Sequence, residues 1–436
     1  MHTPRPTHEE ISFPIALHPD TFALHGALNG GVGAVPIHQR VDGGDADRAT
    51  LPRFGIDALD ALYPSVSNPT QHAFEERLAA FEGGAAALAV ASGQAASAFS
   101  VLNLARAGDN FVTSTGLYGG TWILFDNTLR ELGIEARFVD PTDPENFRRA
   151  TDARTRLYYA ETLPNPKLEV FPIREVAEIG RSLGVPLVMD NTSVPLTVRP
   201  FEHGAAIVMY STTKYIGGHG TTLGGAIIDG GNFPWERQAG RFPQLTEPDD
   251  AYPGVVWTDV ARPFGPIAFV LRARMKLLAD FGAAITPIAA FHLLQGLETL
   301  PIRMEQHNAN AIAVADYLKD HPKVARVHFP GLQSGELRRR ADACMRGGYG
   351  ALIGFELKGG IAAGQRFIEA LKLFYHVANI GDARSLAIQP AATTHSQLSE
   401  ADQLAAGVTP SFVRLSIGIE HQDDIIADLA QALAGV

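Results

Sequence analysis

Seven short apolar runs recur between residues 85 and 230: "AALAVAS", "NFVTST", "EARFVD", "RLYYAET", "PLVMDN", "AIVMYST" and "GGAIIDG". Each has the length of a strand and is apolar with little alternation, as strands covered on both faces are. "AASAFSVLNLARAG" and "REVAEIGRSLG" carry the 3.6-residue period between them. Parallel neighbours need crossovers of that length, so the repeat predicts an α/β chain with a doubly wound, mostly parallel sheet. A helical pattern over 287–319 follows, and Pro301 either interrupts it or begins its second half. Farther on, "ALIGFEL", "RFIEALK", "FVRLSIGI" and "DDIIADLAQAL" predict a smaller α+β domain. The Gly-, Asp-, His- and Pro-rich start has no sustained period and predicts an irregular arm. The division is then an arm over 1–62, an α/β domain over 63–270, and a C-terminal α+β domain over 271–436 that includes the long connecting helix.

Composition narrows the function. The net charge of −11 comes without a basic stripe, which argues against nucleic acid and for a small-molecule enzyme. One cysteine, Cys344, excludes an internal disulfide framework and a cysteine zinc cluster, and the 15 histidines form no HExxH motif, so no metal site is expected. No apolar run reaches the length of about 18 residues that a membrane span needs. "MHTPRPTHEE" lacks the plan of a signal peptide, which makes the cytoplasm the expected address.

In open α/β sheets ligands sit beyond the carboxyl ends of the strands, so the residues just after each run come first. Ser92, Gly93 and Gln94 open a helix whose free N–H groups suit a phosphate; small residues also cap helices with no ligand. Asp190 ends a buried run, where a carboxylate needs a partner or merely caps a turn. "STTK" follows the next run: Ser211 and Thr213 offer hydroxyls, and Lys214 sits where its amine can be desolvated and its pKa lowered. Together a phosphate cradle, hydroxyls, a poised lysine and a strand-end carboxylate share one known use. Pyridoxal 5′-phosphate (PLP) requires a Schiff-base lysine, a carboxylate at its ring nitrogen and donors around its phosphate.

"STTK" also satisfies S-x-x-K, the nucleophile motif of penicillin-binding proteins and β-lactamases. That chemistry wants the serine at a helix start and later S-D-N and K-T-G elements. Here the tetrapeptide ends a strand and neither element occurs. No G-x-x-x-x-G-K-[ST] phosphate loop is present either.

With these residues in hand, the chain resembles the Cys/Met-metabolism family of fold-type-I PLP enzymes, and within it the O-acetylhomoserine sulfhydrylases. The resemblance covers nearly the whole chain. It rests on "NPTQHAFEERLAAFEGG", "ASGQAA", "GLYGGT", "ETLPNPKLEV", "VMDNTSVPLTVRPFEHGA", "YSTTKYIGGHGTTLGGAIIDGG", "QGLETLPIRMEQH" and "FVRLSIGIEHQDDI". It implies that Lys214 carries the cofactor, that Asp190 meets the pyridine nitrogen, and that Gly93, Gln94, Ser211 and Thr213 meet the phosphate. Tyr118 would stack on the ring, Arg414 would hold the substrate carboxylate, and Asn165 and Asn379 would line the pocket. It further implies a homotetramer built from dimers, each site completed by a neighbour's N-terminal segment.

That segment here is "YPSVSNPT". Tyr63 matches the family's phosphate-contacting tyrosine, which also assists proton transfer, but Ser65 stands where relatives carry arginine. Arg40, in "VPIHQRV" with His38, is a conceivable substitute or a solvent-facing cation. Gln389 replaces a histidine usual in sulfhydrylases. The implied activity is γ-replacement on an O-substituted homoserine by sulfide or a thiol. Two alternatives stay open: γ-elimination from another γ-substituted amino acid such as methionine, cystathionine or canavanine, and a non-catalytic paralogue of the fold.

Overall fold

The computed structural model describes residues 18–25, 35–39, 68–393 and 409–436. Tyr63, Ser65 and Arg40 lie outside the described residues.

All seven apolar runs form strands of one sheet: β1 (Ala86–Val90), β2 (Asn110–Ser114), β3 (Glu135–Val139), β4 (Thr155–Glu161), β5 (Leu187–Asp190), β6 (Ile207–Tyr210) and β7 (Gly225–Asp229), in the order β1-β7-β6-β5-β4-β2-β3. Only β7 runs against its neighbours, pairing antiparallel with both β1 and β6. The carboxyl ends of β1 to β6 therefore lie along one edge.

Residue alternation decides what each face buries. Ala89, Tyr158, Met189, Val208 and Ile228 point into one apolar core, and Leu88, Leu157, Tyr159, Val188 and Ile227 into a second. Both faces are covered along the interior of the sheet, while β3 at its edge stays half-exposed. The covered runs read as continuously apolar for this reason.

Helix α1 (Pro19–His25) falls within the stretch expected to be an irregular arm. Its Ala23 is fully buried, and the Phe22 and Phe81 rings lie 6.3 Å apart, so tertiary packing supports a helix that seven residues of local propensity do not announce. Helix α2 (Pro69–Glu82) starts at Asn68, whose side chain accepts from the Thr70 and Gln71 N–H groups. Helix α3 (Gly93–Leu102) ends earlier than its sequence pattern. Asn103 follows as the cap: its N–H still donates to the Phe99 carbonyl, and its side-chain amide donates to the Phe269 carbonyl at 2.9 Å. Helix α4 (Ile173–Leu183) stops at Gly184, whose φ of +68° is a glycine's.

Helix α5 (Pro287–Lys319) runs unbroken through Pro301, capped at its start by the Thr286 hydroxyl. It leads to a second sheet of five strands, β8 (Val324–His328), β9 (Leu352–Leu357), β10 (Tyr375–His376), β11 (Leu386–Ile388) and β12 (Phe412–Ser416), ordered β10-β11-β12-β9-β8. Helices α6 (Gly360–Ala370) and α7 (Gln422–Ala434) pack on it. The smaller α+β unit expected beyond residue 330 is present. No helix among the described residues is long and apolar enough to cross a membrane.

Candidate active site

Five strand ends and one strand of the small sheet bring the predicted residues together. At the end of β1 the Ser92 hydroxyl caps α3, accepting from the Ala95 N–H at 3.1 Å, and Gly93 and Gln94 form the first turn. Gly93 has a specific reason to be glycine: a β-carbon there would lie 2.5 Å from Cβ of Ser211, so the turn touches the loop after β6. Gln94 is exposed and accepts from the Thr121 hydroxyl at 3.2 Å.

Beyond β2, Tyr118 stands 62% exposed, an unusual place for a large aromatic. Its backbone N–H donates to Glu161 Oε1 at 2.5 Å. Glu161 ends β4 directly opposite Asp190 at the end of β5, so two carboxylates sit side by side. Burial first, and then the Asp190 charge, pushes the Glu161 carboxyl well above the ordinary range. Asp190 is also pushed up by burial, against hydrogen bonds from Thr192. Neither carboxylate pairs with a cation among the described residues. Thr192 ties the strand ends: its N–H donates to Asp190 Oδ1 at 2.9 Å, and its hydroxyl accepts from the Ser211 N–H at 2.8 Å.

The loop after β6 carries Ser211, Thr213 and Lys214. The Thr213 hydroxyl donates to the Gly224 carbonyl at 3.1 Å and accepts from the Gly224 N–H at 3.0 Å, closing the loop. Lys214 Nζ donates to the Asn379 side-chain oxygen. Burial and then the Arg414 charge hold the Lys214 amine below its ordinary pKa. Arg414, on β12, is buried; its Nη2 donates to the Asn379 carbonyl at 2.8 Å while its Nε has no partner. Burial brings its pKa down to about 10. Asn165, beyond β4, is partly buried with its Oδ1 unpartnered.

Gln389 does not turn toward this cluster. Its amide donates to the Ile361 carbonyl at 3.0 Å and the Pro410 carbonyl at 2.9 Å, holding β11 to its surroundings. Sequence reasoning passed over Glu161, although the strand-end rule that found Asp190 applies equally to "RLYYAET".

Among the described residues, a buried carboxylate pair without a cation, a buried guanidinium without an anion, and a lysine with a lowered pKa define a site built for a ligand bearing complementary charges. Comparison with known proteins agrees. The family of Cys/Met metabolism PLP-dependent enzymes matches residues 48–434. The chain is 48% identical over 437 residues to the O-acetyl-L-homoserine sulfhydrylase of Leptospira meyeri, covering 98% of each chain. It is 46% identical over 382 residues to the homocysteine synthase of Schizosaccharomyces pombe, covering 87% of this chain and 88% of that one. A crystal structure from Campylobacter jejuni, assigned as an O-acetylhomoserine (thiol)-lyase and carrying N′-pyridoxyl-lysine-5′-monophosphate, superposes with a TM-score of 0.91 at 37% identity, over 96% of this chain and all of that one.

Fold and site thus define an α/β enzyme of the PLP-dependent class. The chain belongs to the Cys/Met metabolism family of PLP-dependent enzymes. Its residues are of the kinds that cofactor needs: Asp190, with no cation beside it among the described residues, would suit a protonated ring nitrogen, the depressed Lys214 amine a carbonyl carbon, and the start of α3 beside Ser211 a phosphate.

Proposed function

We propose that the protein catalyses γ-replacement on O-acetyl-L-homoserine, with sulfide or a thiol giving homocysteine or a thioether amino acid and releasing acetate. Relatives bearing the names sulfhydrylase and homocysteine synthase over almost the whole chain support this reading. The single observation that carries it is the meeting of Lys214 and Arg414 at Asn379, which sets an amine beside a carboxylate-binding guanidinium.

Bound PLP supplies an electrophilic carbon for amines and a ring that stores the electrons released at Cα. The protein's residues do the rest. Arg414 takes the substrate α-carboxylate in its guanidinium fork, and its unpartnered Nε gives that fork a free donor. This fixes which way Cα faces Lys214. The Lys214 amine removes the Cα proton as general base and carries protons between Cα and Cβ; burial and then the Arg414 charge lower its pKa, which favours that role. Asp190 would accept a hydrogen bond from the cofactor's protonated ring nitrogen and so keep the ring able to accept electrons.

Gly93, Gln94, Ser92, Ser211 and Thr213 would hold the phosphate in this reading, and Tyr118 would cover the ring face. We assign to Tyr118, and to Tyr63 of a neighbouring subunit, the assistance of proton transfer near the leaving acetate. Asn165 and Asn379 bound the substrate. We read the assembly as a homotetramer of dimers in the cytoplasm, and the chain as an arm over 1–62, a cofactor domain over 63–270 and a C-terminal domain over 271–436.

The test is product analysis. Purified protein with PLP, O-acetyl-L-homoserine and sulfide should form homocysteine and acetate in equal amounts. A keto acid, ammonia and acetate without homocysteine would assign it to γ-elimination, and no turnover across a panel of O-substituted homoserines would make it a non-catalytic paralogue.

A further inference from the structure

Helix α5 buries a polar row. Arg303, His307 and Asn310 follow a four-then-three spacing, which puts all three on one face. They are 4%, 0% and 1% exposed, where a helix facing a core ordinarily carries apolar residues.

Each reaches backbone carbonyls next to the active site. Arg303 Nη1 donates to the Tyr215 carbonyl at 2.6 Å, and Nη2 donates to the Ile216 carbonyl at 3.2 Å and the Gly296 carbonyl at 2.7 Å. Its Nε donates to the Thr299 hydroxyl at 3.1 Å, and no carboxylate forms an ion pair with Arg303 among the described residues, so neutral dipoles, most of them backbone carbonyls, balance its charge. His307 Nδ1 lies 2.6 Å from the Ile417 carbonyl, which can only accept, so Nδ1 bears the proton. The Asn310 amide donates to the Gly418 carbonyl at 3.0 Å and the Glu420 carbonyl at 2.8 Å.

The two sets of carbonyls belong to two functional groups. Tyr215 and Ile216 directly follow Lys214. Ile417, Gly418 and Glu420 follow β12, which bears Arg414. The helix also approaches the lysine loop as closely as a backbone can. A β-carbon on Gly296 would sit 2.1 Å from the Ile216 oxygen, so Gly296 lets Arg303 reach both loop carbonyls.

We propose that Arg303, His307 and Asn310 are positioning residues that use α5 as a ruler, fixing the lysine loop against the segment that bears Arg414. None of them touches the reacting atoms. The proposal rests on the reading of Lys214 and Arg414 as cofactor- and carboxylate-binding groups.

Two readouts separate the ends of the row. The first is the rate at which apoprotein attaches PLP to Lys214, trapped by borohydride and measured by peptide mass spectrometry. The second is the affinity of the holoenzyme for L-norvaline, an amino acid without a γ-leaving group, followed by absorbance. Arg303→Met should slow attachment by about tenfold to a hundredfold, as a displaced reactive group does. Arg303→Lys keeps the charge but loses the fork, so it should recover only part of the rate and remain informative where Met fails to fold. Asn310→Ala should leave attachment nearly unchanged and weaken norvaline binding by roughly tenfold. Leu318→Ala, in the core at the far end of the helix, should lower the melting temperature without moving either readout. Wild-type attachment rates in both Arg303 variants, or losses in Leu318→Ala equal to theirs, overturn the proposal alone. If wild-type protein attaches no PLP at Lys214, the underlying site reading falls, and the proposal with it.

Discussion

Lys214 donates its ammonium proton to the side-chain oxygen of Asn379, and the backbone oxygen of the same asparagine accepts from Arg414 Nη2 at 2.8 Å. Asn379 is thus neutral ground between two cations. It binds both without neutralising either, which leaves Arg414 free to lower the Lys214 pKa.

Asn379→Asp would add a carboxylate at that point. An opposite charge within hydrogen-bond reach raises an amine pKa by roughly one unit or more. The pH profile for covalent capture of PLP by Lys214 should therefore move to higher pH, with slower capture at pH 7. An unmoved profile would show that Asn379 is not close to the amine in solution.

Arg414→Gln should raise KM for O-acetyl-L-homoserine by about tenfold to several hundredfold, since one charge-assisted fork contributes about 1.5–3 kcal/mol. The capture of PLP by Lys214 should persist in this variant. Steady-state kinetics and the borohydride trap make the comparison, and an unchanged KM would remove Arg414 from the carboxylate site.

Tyr118 meets the protein through its backbone while its ring stays exposed, so the ring is available to a cofactor. Tyr118→Ala should weaken PLP retention by about 1–3 kcal/mol, the worth of an aromatic stack. Tyr118→Phe should retain PLP and lose turnover. Equal dissociation constants for the wild type and Tyr118→Ala would place the ring elsewhere.

Away from the site, Glu82 is buried at the end of α2 and accepts from the Tyr210 hydroxyl at 2.6 Å. Burial pushes its carboxyl up to about 7, against the lowering effect of Tyr210 and Arg199. The folded state then holds this proton more tightly than the unfolded state, so the contribution is present below the ordinary carboxylate range and is lost as pH rises toward and past 7. Glu82→Gln keeps an acceptor for Tyr210 and removes the ionisation. Its stability relative to wild type, from denaturant melts, should grow between pH 5 and pH 8 by up to about 2–3 kcal/mol. A difference that does not depend on pH would refute the raised pKa.

Longer buried runs were the legible ones. Most strands of the large sheet and the span of α5 follow from sequence because both faces of those strands, and one long stripe of that helix, are apolar; the half-exposed edge strand β3 was found as well. Strands β8, β10 and β11 escaped: Ala325 and Arg326 are exposed, as are both residues of β10, and β11, though buried, is three residues long. At the site, Lys214, Asp190 and Ser92 were found because each follows an apolar run directly. The Lys214 to Asn379 contact spans 165 positions, and the Arg303 clamp on Tyr215 spans 88, so no local pattern could announce either. Gln389 shows the reverse case. Noticed as a departure from relatives, it is occupied with two backbone carbonyls and faces packing instead of chemistry.

The most direct test of the central claim is one incubation. Protein saturated with PLP is mixed with O-acetyl-L-homoserine and sulfide, with Lys214→Ala in parallel, and the products are identified by mass spectrometry. The account predicts homocysteine and acetate from the wild type and neither from Lys214→Ala. Homocysteine formed at wild-type rate by Lys214→Ala, or none formed by PLP-loaded wild type, would contradict it.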